Sequence, residues 1–112
     1  MKIADRKSTF FQGDLMLIPV DAIPEGVEEV KAEGENYVVA HSETGHHHVV
    51  SARVAKLYMA GAMVMYLRAK EVVDVRHLRP VDKHETLRLP PGDWKLLRQR
   101  EGTPEGWRRV ED

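Results

Sequence analysis

Turn-forming residues interrupt this chain at short intervals, and the segments between them are apolar, β-branched or aromatic and of strand length. Gly13-Asp14 opens Leu15-Met16-Leu17-Ile18-Pro19-Val20, a continuous apolar run that reads as a buried strand, and Ile23-Pro24-Glu25-Gly26 follows as a turn. Tyr37-Val38-Val39-Ala40-His41 reads as the next strand and Ser42-Glu43-Thr44-Gly45 as the turn after it. Strands are expected at about 54–60, 63–69 and 72–78, with Ala60-Gly61-Ala62 as a tight hairpin. Leu87-Arg88-Leu89 starts another strand, and Pro90-Pro91-Gly92 forces a turn before the run Asp93 to Arg100. Roughly eight short strands, spaced by turn signals about every 8 to 12 residues, specify an all-β single domain, a small barrel or sandwich.

One segment supports two readings. Ser51 could cap a helix over 52–60 whose apolar positions would include Val54, Ala55, Tyr58, Met59 and Ala62, interrupted by Gly61; the bulky runs Met63-Val64-Met65-Tyr66-Leu67 and Val72-Val73-Asp74-Val75 favour strands instead. Outside the β domain, expected over 13–101, residues 1–12 read as an extended N-terminal arm and 102–112 as a C-terminal tail. Val27 to Glu35 is an acidic surface connection that could be a strand or a single solvated helical turn.

With 112 residues the chain is one domain long, and no stretch has the length of a membrane span. Seventeen basic residues against eighteen acidic ones leave a formal charge of −1, too little field to gather phosphates along a surface. Nucleic-acid binding is therefore disfavoured as the main role. The cluster Arg98, Arg100, Arg108 and Arg109 near Trp94 and Trp107 is offset by Glu101, Glu105, Glu111 and Asp112 and reads as a salt-laced surface or subunit contact. There is no cysteine, so His, Asp and Glu are the remaining metal-ligand types. The polar N-terminus lacks a signal-peptide core; a cytoplasmic location is expected, or a virion-associated one if the chain is phage-encoded.

Chemistry concentrates in Gly45-His46-His47-His48, preceded by His41 and Glu43. On a strand, His46 and His48 share a face with Val50 while His47 points the other way, which makes a two-nitrogen clamp for a divalent metal. His84 is the preferred third ligand, although straight alternation sets it with Thr86 and Arg88, opposite Leu87 and Leu89. His41 or Glu43 would support the shell as a further ligand or by orienting a ring; His77 ranks lower because its parity matches Val73 and Val75. The competing reading is a polar, partly exposed strand edge that titrates near neutral pH. Glycine-rich phosphate loops, GxSxG and HExxH are absent, and neither Ser8, Ser42 and Ser51 nor Glu43 with Glu101 or Asp74 has a spacing that specifies catalysis.

The Gly-His-x-His segment (Gly45, His46, His48), with a later His84 and the Pro91-Gly92 turn, resembles the cupins. That resemblance implies a small β-barrel holding a divalent metal through a His-x-His pair, a Glu and a later His. This chain has Val49 to Val54 where cupins carry the Glu, and His84 precedes the Pro-Gly turn. The pattern Gln12-Gly13-Asp14, Thr44 to His48, Leu89 to Gly92 and Arg98 to Glu101 also resembles small uncharacterised proteins of bacterial and phage genomes.

The expectation is a small soluble β domain with a metal or polar-ligand site at His46, His48 and His84, supported by His41 or Glu43. A nitrogen-rich shell selects Zn²⁺, Ni²⁺, Cu²⁺ or Fe²⁺ over Mg²⁺ or Ca²⁺, and an open position on the metal would permit Lewis-acid chemistry or water activation. The alternative class is a non-enzymatic assembly component, such as a phage-associated one, forming a homo-oligomer or larger assembly through the arm and the Trp107 tail.

Overall fold

Side-chain alternation with a period of two decides which face of each strand is buried, and the resulting parity organises the whole domain. A computed structural model describes residues 2–41, 47–61, 63–78 and 86–98. Among them are eleven strands: β1 (Lys2–Ile3), β2 (Phe10–Gln12), β3 (Leu15–Val20), β4 (Glu28–Glu29), β5 (Asn36–His41), β6 (His47–Ser51), β7 (Ala55–Gly61), β8 (Val64–Ala69), β9 (Val73–Leu78), β10 (Leu87–Leu89) and β11 (Gly92–Arg98).

They form two sheets, one of five strands in the order β1-β10-β9-β6-β5 and one of six in the order β2-β3-β11-β8-β7-β4. The sheets are not closed into a barrel, so the domain is a β-sandwich and not the barrel that the cupin resemblance implies. Among the described residues the strand pairings are antiparallel except β1 with β10. Among the described residues no helix is long and apolar enough to cross a membrane.

Core residues come from alternate positions: Leu15 and Leu17, Ala55 and Leu57, Met65 and Leu67, Val73 and Val75, Leu87 and Leu89, Trp94 and Leu96. Burying each of the larger of these contributes about 1.5–3 kcal/mol before the entropy of ordering the chain is counted. The apolar run Leu15–Val20 is buried on alternate residues only; Met16, Ile18, Pro19 and Val20 are half-buried.

The helical alternative over 52–60 is overturned. Ala55 and Leu57 are buried while Lys56 and Tyr58 are not, and β7 pairs with β8 on one edge and β4 on the other. Ser51 does accept a backbone hydrogen bond, from the N–H of Arg53 at 3.1 Å, but it does so in the turn that leads into β7. Pairing with β8 along the strand and with β4 at Tyr58 and Met59 holds 55–61 extended and buries one face, which outweighs the local capping signal.

The N-terminal segment is extended and packs on its own domain: β1 and β2 are paired and Ala4 is buried. Arg6 pins it. Its guanidinium donates to the Asp93 and Val20 carbonyls, both at 2.8 Å, and lies 5.0 Å from the centre of the Trp94 ring. Trp94 is therefore fully buried beneath a cation and donates its indole N–H to the Pro90 carbonyl. That placement removes Trp94 as a stacking surface for nucleic-acid bases. Trp107 and the rest of the tail lie outside the described residues.

Candidate functional site

A buried polar group between apolar sheets is costly unless its hydrogen-bonding atoms are matched, so the buried polar side chains mark where the sequence departs from plain core. Among the described residues two are buried, Gln12 and His48. They meet each other. His48 lies on β6 with the inward parity of Val50, as alternation predicts, and is only 1% exposed.

Gln12 comes from the opposite sheet. It is the last residue of β2, and its Cα partner is Leu15, so Gly13-Asp14 is a two-residue hairpin loop. Gly13 takes φ of +61°, the left-handed region that such loops require and that glycine enters without steric cost. This turn fixes Gln12 pointing into the sandwich and sets Asp14 beside it at the hairpin tip.

The hydrogen bonds define an orientation. Gln12 Nε2 donates to the Val75 carbonyl at 2.8 Å, on β9 in the facing sheet, so its Oε1 is left to accept from His48 Nδ1, also at 2.8 Å. An amide oxygen cannot donate, so Nδ1 carries the hydrogen. Val75 is the last β9 residue paired with β10, and pairing with β6 begins at Arg76. Gln12 thus clamps the facing sheet where β9 changes partners.

With Nδ1 committed, the other ring nitrogen does the remaining work. His48 Nε2 lies 3.3 Å from Asp14 Oδ1, and Asp14 is half-exposed while the ring is sealed. A carboxylate oxygen this close to a ring nitrogen is an arrangement that an ion pair or a metal ion held by both atoms can use.

Of the candidates expected from sequence, His48 is placed in this cluster. His46, His84 and Glu43 lie outside the described residues, as does the side chain of His41, whose backbone ends β5 opposite His47. Leu87 and Leu89 are buried and Arg88 is not, so the alternation that set His84 apart from the core leucines holds along β10. The Cα of His77 stands opposite that of His48 in the β6–β9 register. Among the described residues no group of three or more His, Asp or Glu side chains converges on one point.

Sequence reasoning missed Gln12 and Asp14 as parts of the site. One local signal was present: Gln12 shares the parity of Phe10 next to a Gly-Asp turn, which puts an amide where an apolar side chain would face the core.

Taken together, these features define a small all-β sandwich whose sheets are tied by a buried glutamine–histidine pair with a carboxylate at its mouth. The chain belongs to the family described as Domain of unknown function (DUF8820), whose model matches residues 11–99 and so includes Gln12, Asp14 and His48. No curated protein and no solved structure matches it.

Proposed function

We propose that His48 and Asp14 are two donors of a divalent-metal site and that this small β-sandwich is a metal-binding domain. The observation that supports it is the separation of the two donors. Ligands bonded at about 2.0–2.1 Å and set at a tetrahedral angle lie about 3.3–3.4 Å apart. His48 Nε2 and Asp14 Oδ1 are 3.3 Å apart.

The surroundings support the same reading. A ligating histidine usually donates its other ring N–H to an acceptor that fixes tautomer and orientation, and Gln12 Oε1 stands in that role for His48. The half-exposed Asp14 gives the sealed imidazole a route to solvent. A closed shell needs two further donors, and a catalytic one needs at least one more with a position left for water. His46 and His84, with His41 or Glu43 in support, are proposed to supply them. A shell of imidazole and carboxylate suits Zn²⁺, Ni²⁺, Cu²⁺ or Fe²⁺.

The test is the metal content of the untagged full chain, purified without immobilised-metal resin. Stoichiometric metal, lost in His48→Ala and in Asp14→Asn, is the expected result. Metal-free protein that gains no thermal stability from added Zn²⁺ overturns the reading and leaves a structural His48–Asp14 contact.

A further inference from the structure

On the face of the five-stranded sheet opposite His48, alternation turns Ser51, Asp74, Arg76 and Arg88 away from the core. With Arg53 and Glu71 from the adjoining turns they line a groove of about 580 Å³. The groove is open to solvent, so a ligand there would be held mainly by its polar contacts.

Charge in the groove is incompletely matched. Arg88 and Asp74 neutralise one another in a two-bond fork, Nε to Oδ1 at 2.8 Å and a terminal nitrogen to Oδ2 at 3.1 Å, between residues directly opposite on β10 and β9. Arg76 is held by a neutral acceptor, Asn36 Oδ1 at 3.0 Å, which orients the guanidinium and leaves its charge in place. Glu71 makes no ion pair with Arg53 or Arg76. A surface lattice of salt bridges would have paired those charges. The Ser51 Oγ already accepts from the Arg53 N–H, so its own hydrogen is free to be donated outward.

We propose that this groove binds a small organic oxyanion, a phosphate ester or a carboxylate, through the guanidinium groups of Arg53 and Arg76 with the Ser51 hydroxyl as a further donor. Planar guanidinium groups match the oxygens of either headgroup in pairs. Val54 and Val72 supply an apolar wall for the body of the ligand. The Arg88–Asp74 fork lines the groove beside them.

The test is an amide-shift titration of the isotope-labelled full chain with phenyl phosphate and with benzoate, which share an apolar body and differ in headgroup. Sodium chloride at matched ionic strength is the reference. Saturable shifts clustered at residues 51–54 and 71–76 are expected from at least one ligand. Tighter binding of phenyl phosphate identifies the phosphate ester, and tighter binding of benzoate the carboxylate. The double variant Arg53→Gln/Arg76→Gln, both at solvent-facing positions, should keep a dispersed spectrum and bind at least about tenfold more weakly, while Lys31→Ala should bind as the parent does. Shifts no different from those of sodium chloride, or undiminished binding by the double variant, overturn the proposal.

Discussion

The Nδ1 of His48 and the Oε1 of Gln12 meet at 2.8 Å across the two sheets of the sandwich. Because the amide nitrogen of Gln12 is spent on the Val75 carbonyl, this contact fixes which way the glutamine faces, which tautomer the imidazole adopts and where Nε2 is aimed. One hydrogen bond between layers therefore sets the chemistry of the site.

Replacing Gln12 with Leu keeps the side-chain bulk and removes the acceptor. The His48 N–H is then sealed without Oε1, and a buried donor left in that state costs about 1–3 kcal/mol, partly offset by the added apolar contact. Urea unfolding of Gln12→Leu should show a net loss of about 1 kcal/mol or more at an unchanged slope. Unaltered stability would mean that the inter-sheet bond contributes nothing.

Metal binding to the folded chain alone must raise its stability. At a free metal concentration a hundredfold above Kd the gain is about 2.7 kcal/mol, an upward Tm shift of roughly ten degrees or more for a domain of this size. Asp14→Asn is the informative comparison, because Asp14 sits half-exposed at a hairpin tip where the substitution leaves the fold intact. Differential scanning calorimetry with Zn²⁺ should show the shift in the parent and a much smaller one in the variant.

The Asp74 carboxyl is held below its ordinary value of 3.8, first by the hydrogen bonds from Arg88, with the charges of Arg88 and Arg76 adding to them against the opposing effect of burial. The folded state therefore releases this proton more readily than the unfolded chain does. The pair's contribution is complete above a pH of about 4 and is lost as pH falls through the depressed folded value. Asp74→Asn should remove that part of the acid dependence of unfolding, with a cost near neutrality below about 1 kcal/mol because both side chains reach solvent. An unchanged acid limb of the stability curve would contradict it.

Gly92 and Arg6 should be coupled. Gly92 has φ of +134°, a conformation that disfavours a side chain, and a Cβ there would stand 2.8 Å from the Arg6 guanidinium carbon. Arg6 cannot swing aside freely, since it bonds the Asp93 and Val20 carbonyls and covers Trp94. Gly92→Ala should cost about 1–3 kcal/mol, mostly backbone strain. In an Arg6→Ala background the additional cost should be smaller by about 0.5 kcal/mol or more, read from a double-mutant cycle in urea.

Local pattern was enough for much of this protein. Strands expected at about 54–60, 63–69 and 72–78 are Ala55–Gly61, Val64–Ala69 and Val73–Leu78, because bulky residues between turns bury alternate side chains wherever they pair. The inward parity of His48 with Val50 follows from the same period. Parity with Val73 and Val75, the ground for setting His77 below the other candidates, does not separate it from His48, which has inward parity too and stands opposite it in the β6–β9 register.

What the amino-acid order determined by itself was the class of fold, most strand positions and the facing of His48, all set by interactions within a few residues. Tertiary structure alone decided that two open sheets form instead of a barrel and that Gln12 and Asp14 join His48. Gln12 lies 36 positions from His48 and 63 from Val75. No local periodicity encodes such pairings; they exist because packing two sheets face to face brings an edge hairpin of one over the middle of the other.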